Sequence, residues 1–144
     1  MSVFTKFLPL HLFHKEVAFG NIEGYDDIKY LVRRVLGSDE NYNLLFCGPP
    51  SSAKTLFLLG ILECRKGVYF DGSNTTSRIL NVLEEERPKV ICIDELDKMS
   101  SQFQNRLLNF LESGRIKVDQ IKCSYDFEIK GVKVFATCNE RRQR

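Results

Sequence analysis

GPPSSAKT at residues 48–55 stands between the apolar run NLLFC at 43–47 and the apolar stretch KTLFLLGILECR at 54–65. The first run predicts a buried strand, and the second predicts a buried helix because it is apolar on nearly every side. A turn between a strand and a helix can hold an anion, since backbone N–H groups and the positive end of the helix dipole point at it. The segment therefore predicts a phosphate-binding loop.

The loop matches most of the pattern G-x-x-x-x-G-K-[ST]. Gly48, Lys54 and Thr55 match, whereas Ala53 stands where the second glycine is expected. We expect Lys54 to reach phosphate oxygens and the Thr55 hydroxyl to bind Mg²⁺. Alanine is acceptable at residue 53 if the backbone is helical there, because only a positive φ penalises a Cβ strongly. Against the alternative of a Pro-Ser turn with a chance Lys-Thr pair, the pattern predicts nucleotide contacts at Gly48, Pro49, Pro50, Ser51, Ser52, Ala53, Lys54, Thr55 and Leu56.

The rest of the chain alternates between helix and strand patterns. Helical spacing predicts helices at 26–36, 75–86 and 100–112, the last capped by Ser100 or Ser101 and ended by Gly114. Continuous apolar runs predict strands at 67–72, 90–94 and 132–137. Strict alternation from 121 to 129 predicts a strand with one wet face, and 115–118 is its candidate hairpin partner. Buried strands that alternate with helices indicate an α/β fold with a parallel sheet covered on both faces.

Two adjacent acids follow a buried strand in VICIDELDK at 90–98. In a parallel sheet, ligands bind at the carboxyl ends of the strands. Asp94 is therefore placed to bind Mg²⁺ or a water in its shell, and Glu95 can polarise an attacking water. The alternative is a helix start whose acids only complement the helix dipole.

Asn139 ends the last predicted strand, in the sequence Thr137-Cys138-Asn139. An asparagine side chain can hydrogen-bond both a water and a phosphate oxygen. Taken alone, it fits better with the common role of asparagine as a turn residue after a strand.

Taken together, these residues resemble the AAA+ family of ATPases, from about Phe19 to Asn139. The resemblance implies a three-layer P-loop NTPase fold that binds ATP and Mg²⁺. It also implies Lys54, Glu95 and Asn139 as catalytic residues, with Thr55 and Asp94 at the metal. GNIEGYDDIK at 20–29 is similar to the family segment that packs on adenine, which would place Ile22 and Tyr25 near the base.

Residues 75–116 resemble helicase-like members, including Holliday-junction branch-migration motors and minichromosome-maintenance helicases. In that branch a β-hairpin can precede the polar asparagine and touch nucleic acid or a protein substrate. Residues 115–130 resemble such an insert, with Lys117, Lys122 and Lys130 as candidate contacts. The alternative is an edge hairpin whose lysines block aggregation.

Composition sets wider bounds on the class of protein. The chain has 144 residues, of which 43% are hydrophobic and 28% charged, with a net charge of +2. These values fit one globular domain and exclude a disordered chain or a small disulfide scaffold. No apolar run approaches the roughly 18 residues that span a membrane. Cys47, Cys92 and Cys138 sit in apolar runs and are expected to be buried thiols in a reducing compartment, which predicts a cytoplasmic protein.

The leading functional prediction is the ATPase core of a homo-oligomeric, ring-forming motor that remodels DNA or protein. The alternatives are a nucleotide-responsive scaffold with little turnover and a phosphotransferase of another phosphate-loop class. The family pattern continues beyond Asn139 with a fifth strand, an arginine finger and a helical lid, so we expect residues 1–144 to form an incomplete AAA+ core. We also expect slow hydrolysis, because an arginine finger contributes about 10³–10⁵ in rate.

Overall fold

A computed structural model describes residues 19–74, 78–120 and 123–139. The helices are α1 (Asp26–Gly37), α2 (Lys54–Cys64), α3 (Arg78–Glu86) and α4 (Ser101–Ser113). The strands are β1 (Leu44–Gly48), β2 (Val68–Asp71), β3 (Val90–Asp94), β4 (Arg115–Gln120), β5 (Cys123–Glu128) and β6 (Lys133–Asn139). Short 3₁₀ turns occupy Gly72–Asn74 and Leu96–Lys98. No helix in these three ranges is both long and apolar enough to cross a bilayer.

Four strands form one parallel sheet in the order β1-β6-β3-β2. The last strand in the sequence therefore lies between the first and the third. This order brings the carboxyl ends of β1, β3 and β6 to one edge of the sheet, where Gly48 pairs in register with Asn139. The sheet confirms the predicted α/β fold with a mostly parallel sheet.

Each face of the sheet is covered by its own hydrophobic cluster. On one face, residues of α1 and α2 such as Val32 and Leu58 pack with Cys92 and Phe135. On the other face, residues of α3, α4 and the hairpin pack with Ile91 and Val134. Odd and even positions of the central strands thus face different clusters, which explains why all five residues of β3 are buried.

Helix α4 begins and ends at the predicted residues. The Ser100 hydroxyl accepts a hydrogen bond from the Phe103 backbone N–H at 3.3 Å. Gly114 ends the helix with φ 71°, a left-handed conformation that glycine adopts at little cost. Helix α3 begins at Arg78 in the structure, and the first three residues of its predicted range lie outside the described residues.

The antiparallel pair β4–β5 forms a separate two-stranded sheet. Its first strand extends to Gln120, two residues beyond the predicted hairpin partner. From 124 to 129 the predicted alternation is present, because Tyr125, Phe127 and Ile129 are buried while the residues between them are exposed. The start of the predicted alternation, at 121–122, lies outside the described residues.

The prediction that β1 is a buried strand was wrong. It lies at an edge of the sheet, and its Leu45 side chain is 54% exposed. Cys47 is exposed and Cys138 is half-buried, so Cys92 alone of the three thiols is buried as predicted. A continuous apolar run cannot distinguish an edge strand from a central one, because strand order is set by pairing with distant segments.

Candidate functional site

The phosphate loop and the polar ends of β3 and β6 enclose one cavity of about 340 Å³. It brings together the predicted loop residues 50–56, the acidic pair and the asparagine, although these lie far apart in the sequence, whereas Gly48 and Pro49 line the neighbouring cavity described below. Its lining residues are Pro50, Ser51, Ser52, Ala53, Lys54, Thr55, Leu56, Asp94, Glu95, Thr137 and Asn139.

The loop backbone is left-handed at two positions that carry side chains. Ser51 has φ 65° and Ala53 has φ 62°. The condition under which alanine would be free of strain at residue 53, a helical backbone, is therefore not met, because Ala53 precedes the first helical residue of α2 and turns the chain into it. A left-handed conformation costs a non-glycine residue about 1–2 kcal/mol. The loop thus has serine and alanine at two positions whose left-handed backbone conformation favours glycine.

Lys54 lies over the inner side of the loop. Its ammonium donates hydrogen bonds to the carbonyl oxygens of Gly48 at 2.9 Å and Pro49 at 2.6 Å, and to Ser52 Oγ at 3.1 Å. The Ser52 hydroxyl in turn donates to Pro49 O at 2.7 Å. Lys54 is thus held within the curl of the loop, on the side that faces the cavity.

Asp94 is buried at the centre of a hydrogen-bond network. Its Oδ2 accepts from the Thr55 hydroxyl and from the Tyr69 hydroxyl, each at 2.8 Å, and its Oδ1 accepts from the Thr137 hydroxyl. Burial works to raise the pKa of Asp94, but the hydrogen bonds from Thr137, Tyr69 and Thr55 outweigh it and lower that pKa below its usual value. The carboxylate is therefore charged at neutral pH.

The donor set around Asp94 fits a hard divalent cation. A carboxylate and a threonine hydroxyl are oxygen ligands, and Mg²⁺ is commonly held by one or two such groups while it keeps its remaining waters. Thr55 and Asp94 already lie within hydrogen-bond distance of each other. One ion could thus contact the Thr55 hydroxyl while Asp94 binds the ion or a water in its shell.

Glu95 adopts a left-handed backbone with φ 54° directly after β3. Its backbone N–H donates to Thr137 Oγ1 at 2.9 Å, and its carboxylate pairs with Lys98 Nζ at 2.7 Å. Residue 72, which lies against the Glu95 backbone, must be glycine, because a Cβ on Gly72 would lie 2.2 Å from the Glu95 carbonyl oxygen. Glu95 is therefore fixed through its backbone, while its side chain reaches solvent and Lys98.

Asn139 lies at the end of β6, beside Gly48 of the phosphate loop. Its backbone N–H donates to Asp97 Oδ1 at 3.3 Å, and the residue lines the cavity. The structure thus places Asn139 on the same cavity as Lys54 and Glu95.

Tyr69 and Thr137 belong to the site but were not predicted as site residues. Thr137 is buried and links Asp94 to the Glu95 backbone, and Tyr69 reaches Asp94 from the neighbouring strand β2. Burial and the hydrogen bond to Asp94 raise the pKa of Tyr69, so its hydroxyl remains a donor. Thr137 stands in the polar strand end that the sequence marked, whereas no local pattern marks Tyr69.

A second cavity of about 500 Å³ adjoins the loop on the side of α1 and β1. It is mainly apolar, and its lining residues are Tyr25, Ile28, Leu31, Leu44, Leu45, Phe46, Cys47, Gly48, Pro49, Ser52, Lys54 and Phe57. The Phe46 and Phe57 rings stack at 5.5 Å between centroids, and Tyr25 meets Phe57 edge-on at 6.1 Å. Ile22 is buried in the core with Phe19 and lines neither cavity.

Lys117 lies on β4 of the separate two-stranded sheet and Lys130 follows the end of β5, and neither residue lines the two cavities. Lys117 is exposed opposite Asp126, and Lys130 lies 3.7 Å from the Glu128 carboxylate. Arg115 forms a two-point pair with Asp126, with both contacts at 2.7 Å. Lys122, the third candidate contact, lies outside the described residues.

Comparison with known protein families identifies the family of this chain. The family model described as AAA domain, dynein-related subfamily, matches residues 58–144, which is more than half of the chain. The matched region includes Asp94, Glu95 and Asn139 and begins just after the phosphate loop. A search of curated proteins finds no match.

Proposed function

Because the chain belongs to the AAA domain family in its dynein-related subfamily, we propose that it binds Mg-ATP at the phosphate loop and hydrolyses it to ADP and phosphate. One observation carries this proposal above the others. The Thr55 hydroxyl and the Asp94 carboxylate are 39 residues apart in the sequence and meet at 2.8 Å. Such a pair at the start of a helix after a phosphate loop is suited to Mg²⁺ bound to nucleotide phosphates.

In this proposal the loop residues bind the triphosphate. Backbone N–H groups of the loop and the N-terminus of α2 face the phosphate oxygens. Lys54 exchanges its hydrogen bonds to the Gly48 and Pro49 carbonyls for phosphate oxygens, which are stronger acceptors because they carry charge. Thr55 and Asp94 hold Mg²⁺, which neutralises negative charge that develops during phosphoryl transfer.

Glu95 and Asn139 act on the attacking water. Glu95 accepts a hydrogen bond from that water and orients it, for which its carboxylate turns away from Lys98. Asn139 donates a hydrogen bond to the phosphate or to the water, from its position beside Gly48. Thr137 holds Asp94 and the Glu95 backbone in fixed relation to each other.

The apolar cavity beside the loop is the proposed site for the adenine base. Tyr25, Phe46 and Phe57 supply aromatic surface there, and the cavity shares Ser52 and Lys54 with the phosphate loop. A base stacked in this cavity would therefore be continuous with phosphates in the loop.

At the level of the assembly, we propose a homo-oligomeric ring that uses ATP to remodel DNA or protein, with a DNA helicase as one form of such a motor. The hairpin lysines Lys117 and Lys130, together with Lys122, are the proposed substrate contacts. Of these, Lys117 is exposed on β4 and Lys130 is exposed just after β5, and neither lines the two cavities at the phosphate loop.

A nucleotide-responsive scaffold with little turnover is the second candidate. Two observations favour it. The left-handed backbone of Ser51 and Ala53 strains the phosphate loop. The Glu95 carboxylate forms an ion pair with Lys98. A loop that binds weakly, with its water-orienting acid in an ion pair, would respond to nucleotide without fast hydrolysis.

The experiment that separates the two candidates measures Mg-ATP binding and phosphate release on the same preparations. The comparison covers wild type, Lys54→Ala and Glu95→Gln, and Arg106→Ala on α4 is the matched control. The ATPase proposal expects no binding for Lys54→Ala, and binding without turnover for Glu95→Gln. Binding by wild type without any Glu95-dependent turnover would favour the scaffold, and unchanged binding by Lys54→Ala would overturn the assignment of the loop.

Substrate is tested by adding DNA, RNA or unfolded protein to the ATPase assay. Lys117→Glu and Lys130→Glu should weaken nucleic-acid binding and reduce its dependence on salt, because each lysine that neutralises a phosphate releases counterions. Unchanged binding would favour a structural hairpin. Sedimentation with and without Mg-ATP tests the ring.

A further inference from the structure

Cys47 and Cys138 form a pair of adjacent thiols at the carboxyl ends of β1 and β6. They are partners in the parallel register, and their Sγ atoms lie 2.9 Å apart. Both are free thiols, and neither sulfur has a role in the proposed ATP hydrolysis.

The backbone around this pair is compatible with a covalent bond between the sulfurs. Neighbouring strands lie about 4.8 Å apart, and disulfides join Cα atoms roughly 4.4–6.8 Å apart. Register partners also project their side chains to the same face of a sheet. A disulfide would therefore need only a small movement of two strand ends.

The two thiols differ in their access to solvent. Cys47 is exposed on the edge strand, whereas Cys138 is half-buried. Burial, together with the hydrogen bond to Cys47, raises the pKa of Cys138 to about 11. An oxidant from solution therefore meets Cys47 first, and Cys138 is placed to react with the product.

We propose that Cys47 and Cys138 are a modification site, at which hydrogen peroxide converts two thiols into a disulfide. The Cys47 sulfur attacks the peroxide, takes one oxygen as a sulfenic acid and releases water. The Cys138 sulfur loses its proton, attacks the sulfenic sulfur and expels hydroxide, which leaves as the second water. In total the two sulfurs lose two electrons and the peroxide gains them. A small-molecule dithiol reduces the disulfide back to two thiols by thiol–disulfide exchange.

The position of the pair connects it to the nucleotide site. Gly48 and Asn139 are the next partners in the same register, and Lys54 and Asp97 lie close enough to influence the Cys138 thiol. A bond that draws the strand ends together would therefore disturb the start of the phosphate loop. This consequence rests on the proposed function, whereas formation of the disulfide does not.

The test is titration of the intact chain with hydrogen peroxide at neutral pH, followed by alkylation of the remaining thiols and peptide mapping. We expect a loss of about 2 Da per chain, which is two hydrogens, a peptide pair joined through Cys47 and Cys138, and full recovery after dithiothreitol. Cys47→Ser and Cys138→Ser should each abolish the link, and Cys64→Ser is the matched control that should retain it. A link to another cysteine, or a sulfinic acid on Cys47 beside an alkylated Cys138, would overturn the proposal.

The second measurement is the thermal shift produced by Mg-ATP before and after oxidation. We expect a smaller shift for oxidised wild type, its recovery after reduction, and no effect of peroxide on Cys47→Ser. Equal shifts in oxidised and reduced wild type would overturn the link to the nucleotide site and leave the mapped disulfide standing. Absence of any shift in the reduced protein would count against the proposed function instead.

Discussion

The Tyr69 hydroxyl donates a hydrogen bond to Asp94 Oδ2 at 2.8 Å, and the same oxygen accepts from the Thr55 hydroxyl at 2.8 Å. Strand β2 thus supplies a donor to the carboxylate that the sequence assigns to the metal. If Thr55 turns toward Mg²⁺, Tyr69 and Thr137 remain to hold the two carboxylate oxygens. The proposed metal site is therefore supported by side chains from three strands and one helix.

Tyr69→Phe should raise the Mg²⁺ concentration needed for half-maximal ATP binding, because Asp94 loses a donor that fixes its orientation. The expected loss of stability is modest, about 1 kcal/mol, since Tyr69 is partly exposed. The measurement is a Mg²⁺ titration of nucleotide binding, with exposed Tyr42→Phe as the control. An identical Mg²⁺ dependence in Tyr69→Phe would show that the hydroxyl does not support the metal site.

Ala53→Gly should stabilise the chain. The residue has φ 62°, and glycine adopts that conformation without the penalty of a Cβ, so we expect a gain of up to about 1 kcal/mol in the free energy of unfolding. Ser51→Gly should act in the same direction. Urea unfolding measures both changes.

The matched control for these glycines is Ser101→Gly, at a position without positive φ, where glycine should give no gain. The Ala53→Gly loop should also bind Mg-ATP at least as tightly as wild type, because less strain is stored in the bound loop. Lower stability of Ala53→Gly would contradict the left-handed backbone at this residue.

Thr137→Val should destabilise the chain by about 1–3 kcal/mol, although the two side chains have nearly the same shape. The substitution leaves Asp94 Oδ1 without its threonine donor and the Glu95 N–H without its acceptor, and Thr137 is 1% exposed. Thr137→Ser keeps the hydroxyl and is the control. The midpoint of urea unfolding should fall for valine with an unchanged slope, and equal midpoints for the two variants would refute this role.

Acid should remove the stabilisation that Asp94 provides. The pKa of Asp94 in the folded chain lies below the ordinary aspartate value of 3.8, because hydrogen bonds to the carboxylate outweigh burial. The unfolded chain therefore binds this proton more readily, and the contribution is fully present above pH 3.8 and disappears as the pH falls through the folded pKa. Urea midpoints of wild type and Asp94→Asn should differ most above that pH and converge below it, and a constant gap would contradict the shift.

The predictions from local pattern were sound wherever one segment carries the information. The caps of α4 at Ser100 and Gly114 depend on residues within a single turn, and the structure confirms them. The placement of the acidic pair after β3 follows from a run of five buried residues. Features that depend only on residues close together in the chain, such as helix caps, can therefore be predicted from the sequence.

Local pattern failed where a backbone or a strand depends on distant partners. The spacing of the loop residues did not specify the backbone conformation of Ala53, which the turn into α2 makes left-handed. Strand β1 was expected to be buried, but it has a strand partner on one side only, so Leu45 and Cys47 are exposed. Neither outcome is encoded in the hydrophobicity of the segment itself.

The sequence alone determined the α/β fold, the phosphate loop and the order of the polar strand ends, because residue type and spacing specify these over short distances. The tertiary structure decided that β6 lies between β1 and β3. That order places Thr137 against Asp94, Asn139 beside Gly48, and Cys138 against Cys47. These contacts join residues 43 to 91 positions apart, and only the pairing of distant strands can bring them together.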